Sequence, residues 1–174
     1  QLGNFQRAAA QYQGALGTYR DVKEVLGEWR VLDDLGRLAV KQGDTTEAVT
    51  HFQEAFKVAQ QAGLRQGQVS ALEHTATAYR SAKDYGKATQ YYQQALKAAK
   101  EAQLREYEWL VLSDLGAMYG EMGNTKRAVA HYQQALGVVR QLGDKDAEKQ
   151  LRDAMAQVSK PAGSDSKPAA KKKK

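Results

Sequence analysis

The stretch 91–99 reads YYQQALKAA, and 131–139 reads HYQQALGVV. Two related versions stand upstream, QYQGALGTY at 11–19 and HFQEAFKVA at 51–59, so one phrase opens at 11, 51, 91 and 131. A spacing of 40 in a chain of 174 residues is an internal repeat, and a period of this order marks an array of small structural units. The same columns recur around each copy. Small residues fall at Ala8, Ala48, Ala88 and Ala128, and aromatic ones at Tyr12, Phe52, Tyr92 and Tyr132. Ala15, Ala55, Ala95 and Ala135 come next, followed by Leu16, Phe56, Leu96 and Leu136. This spacing sets the side chains on one face of a helix, here named helix B, with the paired Gln residues turned outward. Turn signals precede it at Gly3-Asn4, Gly43-Asp44, Lys83-Asp84 and Gly123-Asn124.

Each later copy has a partner segment before it: WRVLDDLGRLAV (29–40), VSALEHTATAYR (69–80) and WLVLSDLGAMYG (109–120). Their shared columns are Trp29/Val69/Trp109, Leu32/Leu72/Leu112, Leu35/Thr75/Leu115 and Ala39/Tyr79/Tyr119, again an amphipathic helical stripe, here helix A. Gly36, Ala76 and Gly116 share an interior column. Gly inside a helix costs about 1 kcal/mol against Ala, so its recurrence predicts a close approach between helices.

The unit is therefore helix A, a tight turn, helix B, and helix A again. Its columns resemble the tetratricopeptide repeat (TPR), with Leu32, Leu35, Gly36, Ala39, Ala48, Phe52 and Ala55 standing at the motif positions of the first unit. The resemblance runs over residues 4–142. Gln60, Lys100 and Arg140 stand where such repeats usually carry a closing proline, and the period is 40 where 34 is common; both predict helices about a turn longer. This form is similar to the repeats of the Pins/LGN adaptors and related bacterial regulators. The resemblance implies an all-α fold, a right-handed solenoid of antiparallel helix pairs. The expected organisation is a half repeat at 4–20, repeats at about 25–62, 64–102 and 104–142, and a capping helix at about 145–158. Ala147, Leu151, Ala154, Met155 and Val158 form the stripe of that last helix, and its polar remainder suits the end of an array. Helix 4–20 has no helix A before it, so the expectation is a C-terminal portion of a longer array, open at its N-terminal end.

Charge and composition narrow the function. Of 26 basic and 20 acidic residues, six Lys and one Asp lie in 160–174, leaving 20 and 19 in the rest. The net charge of +6 is thus mostly a property of the tail KPAGSDSKPAAKKKK, which lacks large apolar residues and is expected to be disordered. Weak contact with nucleic acid or an acidic surface is a second reading, carried by that tail alone. There is no Cys, which fits a reducing compartment, with the cytoplasm favoured. No apolar run is long enough to span a membrane. Neither a Gly-rich phosphate loop nor a nucleophile elbow is present, so the chain is read as non-enzymatic, without cofactor or metal. His51 and His131 share a column two units apart, too far to share a metal, and His74 stands alone on a helix A.

What remains is the inner surface. In TPR arrays helices A line a concave groove that holds a protein or peptide partner. By resemblance the groove residues are Arg30, Asp33, Arg37, Lys41, Glu73, Thr77, Arg80, Ser113, Ala117 and Glu121. The columns where chaperone-binding relatives carry a Lys/Asn carboxylate clamp hold Asp33, Arg37, Glu73, Thr77, Ser113 and Ala117, so that clamp is not expected. Arg37 and Glu73 fall outside the packing columns, and reversing either charge is expected to cost the fold little. A third reading is a sensor domain of a regulator, whose curvature would respond to a bound peptide.

Overall fold

The computed structural model describes residues 2–160. Eight α-helices follow one another: α1 (Leu2–Asp21), α2 (Val25–Gln42), α3 (Thr45–Gln61), α4 (Arg65–Ser81), α5 (Tyr85–Glu101), α6 (Arg105–Glu121), α7 (Thr125–Leu142) and α8 (Lys145–Ser159). Among the described residues there is no strand. The Lys-rich stretch from 161 onward, with the tail readings attached to it, lies outside the described residues.

The chain turns back on itself at regular intervals, and the backbone shows why. Residues with positive φ fall at Lys23, Gly43, Lys83, Gln103, Gly123 and Gly143, and at Gly63 between them, each twenty residues from the next. A left-handed residue ends a helix by letting the following N–H groups bond back to its last carbonyls. After the turns at 43, 83 and 123 the next residue caps the new helix: Asp44, Asp84 and Asn124 accept hydrogen bonds from the amides of Glu47, Lys87 and Arg127 at 2.9–3.1 Å. One expected turn is different: Gly3-Asn4 lies inside α1, which already runs from Leu2.

Each helix packs on its sequence neighbours, and α2–α4, α4–α6 and α6–α8 also touch. Among the described residues α1, α3, α5 and α7 lie further apart and reach one another through side chains, as in the Arg20–Glu54 ion pair and the Gln53–Tyr91 hydrogen bond. The even-numbered helices are therefore the closer-spaced, inner row, and the odd-numbered ones fan out on the convex side. Phe52, Leu32, Tyr92, Leu112 and Leu115 lie fully inside, between the two rows. Such burial contributes about 1.5–3 kcal/mol for each large side chain. The small column earns its place here. A Cβ on Gly36 would enter the Phe52 ring, and one on Gly116 would come within 2.9 Å of the Tyr132 ring. The close approach is thus between helix A backbone and the helix B aromatic column. At the far end α8 closes the core with Ala147 and Leu151, helped by Ala154, Met155 and Val158.

Candidate functional site

The inner faces of α2, α4 and α6 form the concave surface, and the expected groove residues occupy it in three bands along the helix axes. At the N-terminal ends of these helices, Arg30 and Arg65 stand over a hollow of about 610 Å³ whose walls include Trp29, Leu64, Leu104 and Tyr107. Toward the C-terminal ends, Arg37, Val40 and Lys41 face Glu73 and Thr77 across a second hollow of about 320 Å³, floored by Phe52 and His74.

An ordered ionic band lines the second hollow and continues toward the C-terminal ends of α4 and α6. Asp33 is buried and meets His74 Nδ1 at 2.5 Å, while His74 Nε2 lies 3.3 Å from Glu73. Glu73 accepts a hydrogen bond from the Thr77 hydroxyl at 3.1 Å, and that hydroxyl lies 2.9 Å from the Tyr92 phenol. Arg80 donates to both carboxylate oxygens of Glu121, with its shortest contact 2.5 Å, and approaches Asp114 at 3.7 Å. Asp33 to His74, Glu73 to Asp114 and Arg80 to Glu121 are each separated by 41 residues. One stagger of helix on helix accordingly places residue n of an inner helix beside n+41 of the next.

This crowding shifts the titrations. Burial, and then the neighbouring Glu73 carboxylate, push the Asp114 carboxyl up to about 7, against the opposing pull of Arg80. Burial lowers the His74 imidazole, but its hydrogen bond to Asp33 and the Glu73 charge outweigh this and hold it above its ordinary value. Burial and then Asp114 raise the Tyr92 phenol to about 12. The Glu121 hydrogen bond raises Arg80 further above its already high value, so it is cationic throughout.

The expected groove list thus divides. Arg30, Arg37 and Lys41 are exposed, and Ser113 and Ala117 are half-buried on α6. Asp33, Glu73, Thr77, Arg80 and the more exposed Glu121 are instead tied into the ionic band. The expectation for Glu73 needs correction. It is no free surface charge, being only 20% exposed at its side chain and bonded to Thr77 and His74, so reversing it would disturb the band. Arg37 fits its expectation better, with its side chain 59% exposed and one long contact of 4.0 Å to Asp34. Sequence reasoning passed over Asp114, His74 and Tyr107 as groove residues. Asp34, His74 and Asp114 form a titratable column one place after the one chosen. Tyr107 breaks a column that otherwise reads Gly27 and Gly67. Among the described residues no grouping of three or more His, Asp or Glu side chains could hold a metal ion.

Comparison with known proteins places this geometry in a class. Two family models, each described as tetratricopeptide repeat, match the chain, one at residues 29–101 and the other at 111–146. The protein carries tetratricopeptide repeats, and its fold is that of a helical repeat array of the TPR kind. Among solved structures it is similar to the crystal structure of BtubC (BKLC) from P. vanneervenii, at 17% identity and a TM-score of 0.66, covering 99% of this chain and 82% of that one. It also aligns with the de novo designed helical repeat protein DHR81, at 15% identity and a TM-score of 0.39, covering 90% of this chain and 89% of that one. No curated protein sequence matches the chain. Repeats of this class form interaction scaffolds for protein partners. No helix among the described residues is long and apolar enough to cross a membrane.

Proposed function

We propose that the chain is a non-catalytic scaffold that holds an extended peptide or a partner helix in the groove of α2, α4 and α6. The observation that carries this reading is the pair of hollows, about 610 and 320 Å³, the smaller of them lined by members of the ionic band. Each is large enough for side chains of a partner. The cross-helix bonds from His74 and Arg80 fix the spacing of the inner helices. A partner therefore meets a surface whose side chains are already ordered, and less entropy is lost on binding. On this reading the chain comprises a half repeat at 4–20, three repeats at about 25–62, 64–102 and 104–142, and a cap at about 145–158. The Pins/LGN-like character belongs to the same proposal, supported by the 40-residue spacing of the phrase.

The test is to pan a random-peptide display library on the intact protein, then measure each selected peptide against the Arg37→Glu/Lys41→Glu variant. Both positions are exposed, so the variant should melt normally. The expected result is a set of peptides that bind the variant at least tenfold more weakly. If every selected peptide binds this variant and the Arg30→Gln/Arg65→Gln variant as tightly as the intact protein, partners use the convex face or an end, and the groove reading fails.

A further inference from the structure

The larger hollow carries more chemical information than its size. Two guanidinium groups stand at its mouth, on Arg30 of α2 and Arg65 of α4. The arginine ion pairs of the described residues belong to Arg20, Arg37, Arg80, Arg105, Arg140 and Arg152, and Arg30 and Arg65 make none. Both are exposed. Helices α4 and α6 enter the same hollow by their N-termini, at Leu64 and Leu104, and these two helices, alone among α2 to α8, lack a side-chain cap. An uncapped N-terminus leaves amide N–H groups unsatisfied and carries a partial positive charge. Two full charges and the N-terminus of α4 therefore share one polarity at this space, whereas the α6 terminus is offset by Glu106 and Glu108 in its own first turn.

The walls are apolar. Trp29 and Tyr107 face the space from α2 and α6, with Leu64 and Leu104 between them. The Trp29 indole N–H is buried without an acceptor, and the indole lies against Gly67, where a Cβ would meet it at 3.0 Å. The carboxylates of the ionic band begin one turn further along, and at this end Glu28 and Glu108 are already ion-paired with Arg20 and Arg105. This geometry selects among partners. A basic segment would meet two unpaired arginines, while a purely polar one would leave the aromatic walls without contact.

Resting on the groove reading above, we infer that this hollow takes an extended peptide segment in which a bulky apolar side chain stands beside a carboxylate. The apolar group enters between Trp29 and Tyr107, and the carboxylate meets Arg30, Arg65 and the free amides at the start of α4. Charge-assisted hydrogen bonds of that kind are roughly twice as strong as neutral ones, so the acidic residue supplies the discrimination.

Three matched synthetic peptides test this, each acetylated and amidated. The acidic one is Gly-Ser-Glu-Leu-Asp-Glu-Phe-Ser-Gly, the neutral one replaces Glu and Asp by Gln and Asn, and the basic one replaces them by Lys. Binding is read from Trp29 fluorescence in a Trp109→Phe background, so that Trp29 is the sole indole. The acidic peptide should bind at least tenfold more tightly than the neutral one, and weaken as salt is raised. The Arg30→Gln/Arg65→Gln variant, checked by melting, should erase that difference. Equal affinity for the three peptides, preference for the basic one, or no acidic-peptide binding at millimolar concentration each overturns the inference. These failures are distinct from failure of the groove reading. Display-selected peptides that depend on Arg37 and Lys41 but are indifferent to Arg30→Gln/Arg65→Gln would leave the groove standing and remove only its proposed acidic specificity.

Discussion

Asp114 shows how one side chain can depend on a helix it does not belong to. Its carboxyl is pushed up to about 7 by burial and by Glu73 on α4, and His74, Arg80 and Tyr92 complete its surroundings. A carboxyl raised in the folded state binds its proton more tightly there than in the unfolded chain. It therefore contributes stability at low pH, and that contribution is lost as pH climbs from about 4 through about 7. The raised His74 has the same sign, losing its contribution as pH rises through its folded value. Asp84, Glu121 and Glu148 are lowered, so their opposite effect is complete once pH exceeds the ordinary carboxylate range. Burial and Arg127 lower the His131 imidazole, which has the opposite sign in this window, but Asp114 and His74 together outweigh it, and melting temperature should decline between pH 5 and pH 8. The Asp114→Asn variant should flatten that decline, and a slope unchanged by it would contradict the account. In carboxyl NMR titrations, Glu73→Gln should bring Asp114 back toward the ordinary carboxylate range. Gly36 makes a different kind of prediction at the same scale. Alanine favours the helix by about 1 kcal/mol, yet its methyl would enter the buried Phe52 ring. Overpacking a well-filled core costs typically 1–3 kcal/mol, so Gly36→Ala should lower chemical-denaturation stability by up to roughly 2 kcal/mol net.

The helices are bounded by turns that solve one problem with different residues. Gly occupies the left-handed position at 43, 63, 123 and 143, whereas Lys23, Lys83 and Gln103 adopt it with a Cβ. That conformation costs a non-Gly residue roughly 1–2 kcal/mol, partly offset by the greater freedom that Gly has in the unfolded chain. Lys83→Gly should therefore stabilise the protein by about 0.5–1 kcal/mol, as read from the denaturation midpoint. Capping gives the opposite sign. Asn124 accepts the Arg127 amide at 3.1 Å, and Asn124→Ala should cost about 1 kcal/mol with no change in helix count by circular dichroism. The α4 and α6 starts contrast with this. Leu64 and Leu104 give up a cap to place an apolar side chain beside the larger hollow, which leaves free the amides that the inferred peptide site uses.

Across the molecule, stability follows the number of neighbours each helix has. Helix α1 packs its backbone against α2 and reaches α3 only through side chains such as the Arg20–Glu54 ion pair, while α4 touches α2, α3, α5 and α6. In an array the terms are those of each unit and its nearest neighbours, so the flank with fewest contacts opens first. Hydrogen exchange should show amides of 4–20 protected far less than those of 85–101. Equal protection in monomeric protein would mean that the whole array opens in one step.

How much of this was legible in the sequence depends on the range of the forces involved. The phrase at 11, 51, 91 and 131 and the columns around it are local facts, because a helix has a fixed period and its apolar face must be buried. They sufficed for the helical repeat fold, for the inward Phe52 and Tyr92, and for the close approach at Gly36 and Gly116. Only packing decided how one inner helix slides along the next. Column reasoning aligned Asp33 with Glu73 and left His74 alone, but the helices are staggered so that Asp33 meets His74 and Arg80 meets Glu121. That single residue of offset is set by how ridges of side chains on one helix fill grooves on its neighbour, a three-dimensional fit that no period in the chain encodes. It converts Asp33 and Glu73 from surface charges into members of a hydrogen-bonded, partly buried band, and it leaves Arg30 and Arg65 without ion-pair partners beside an apolar hollow.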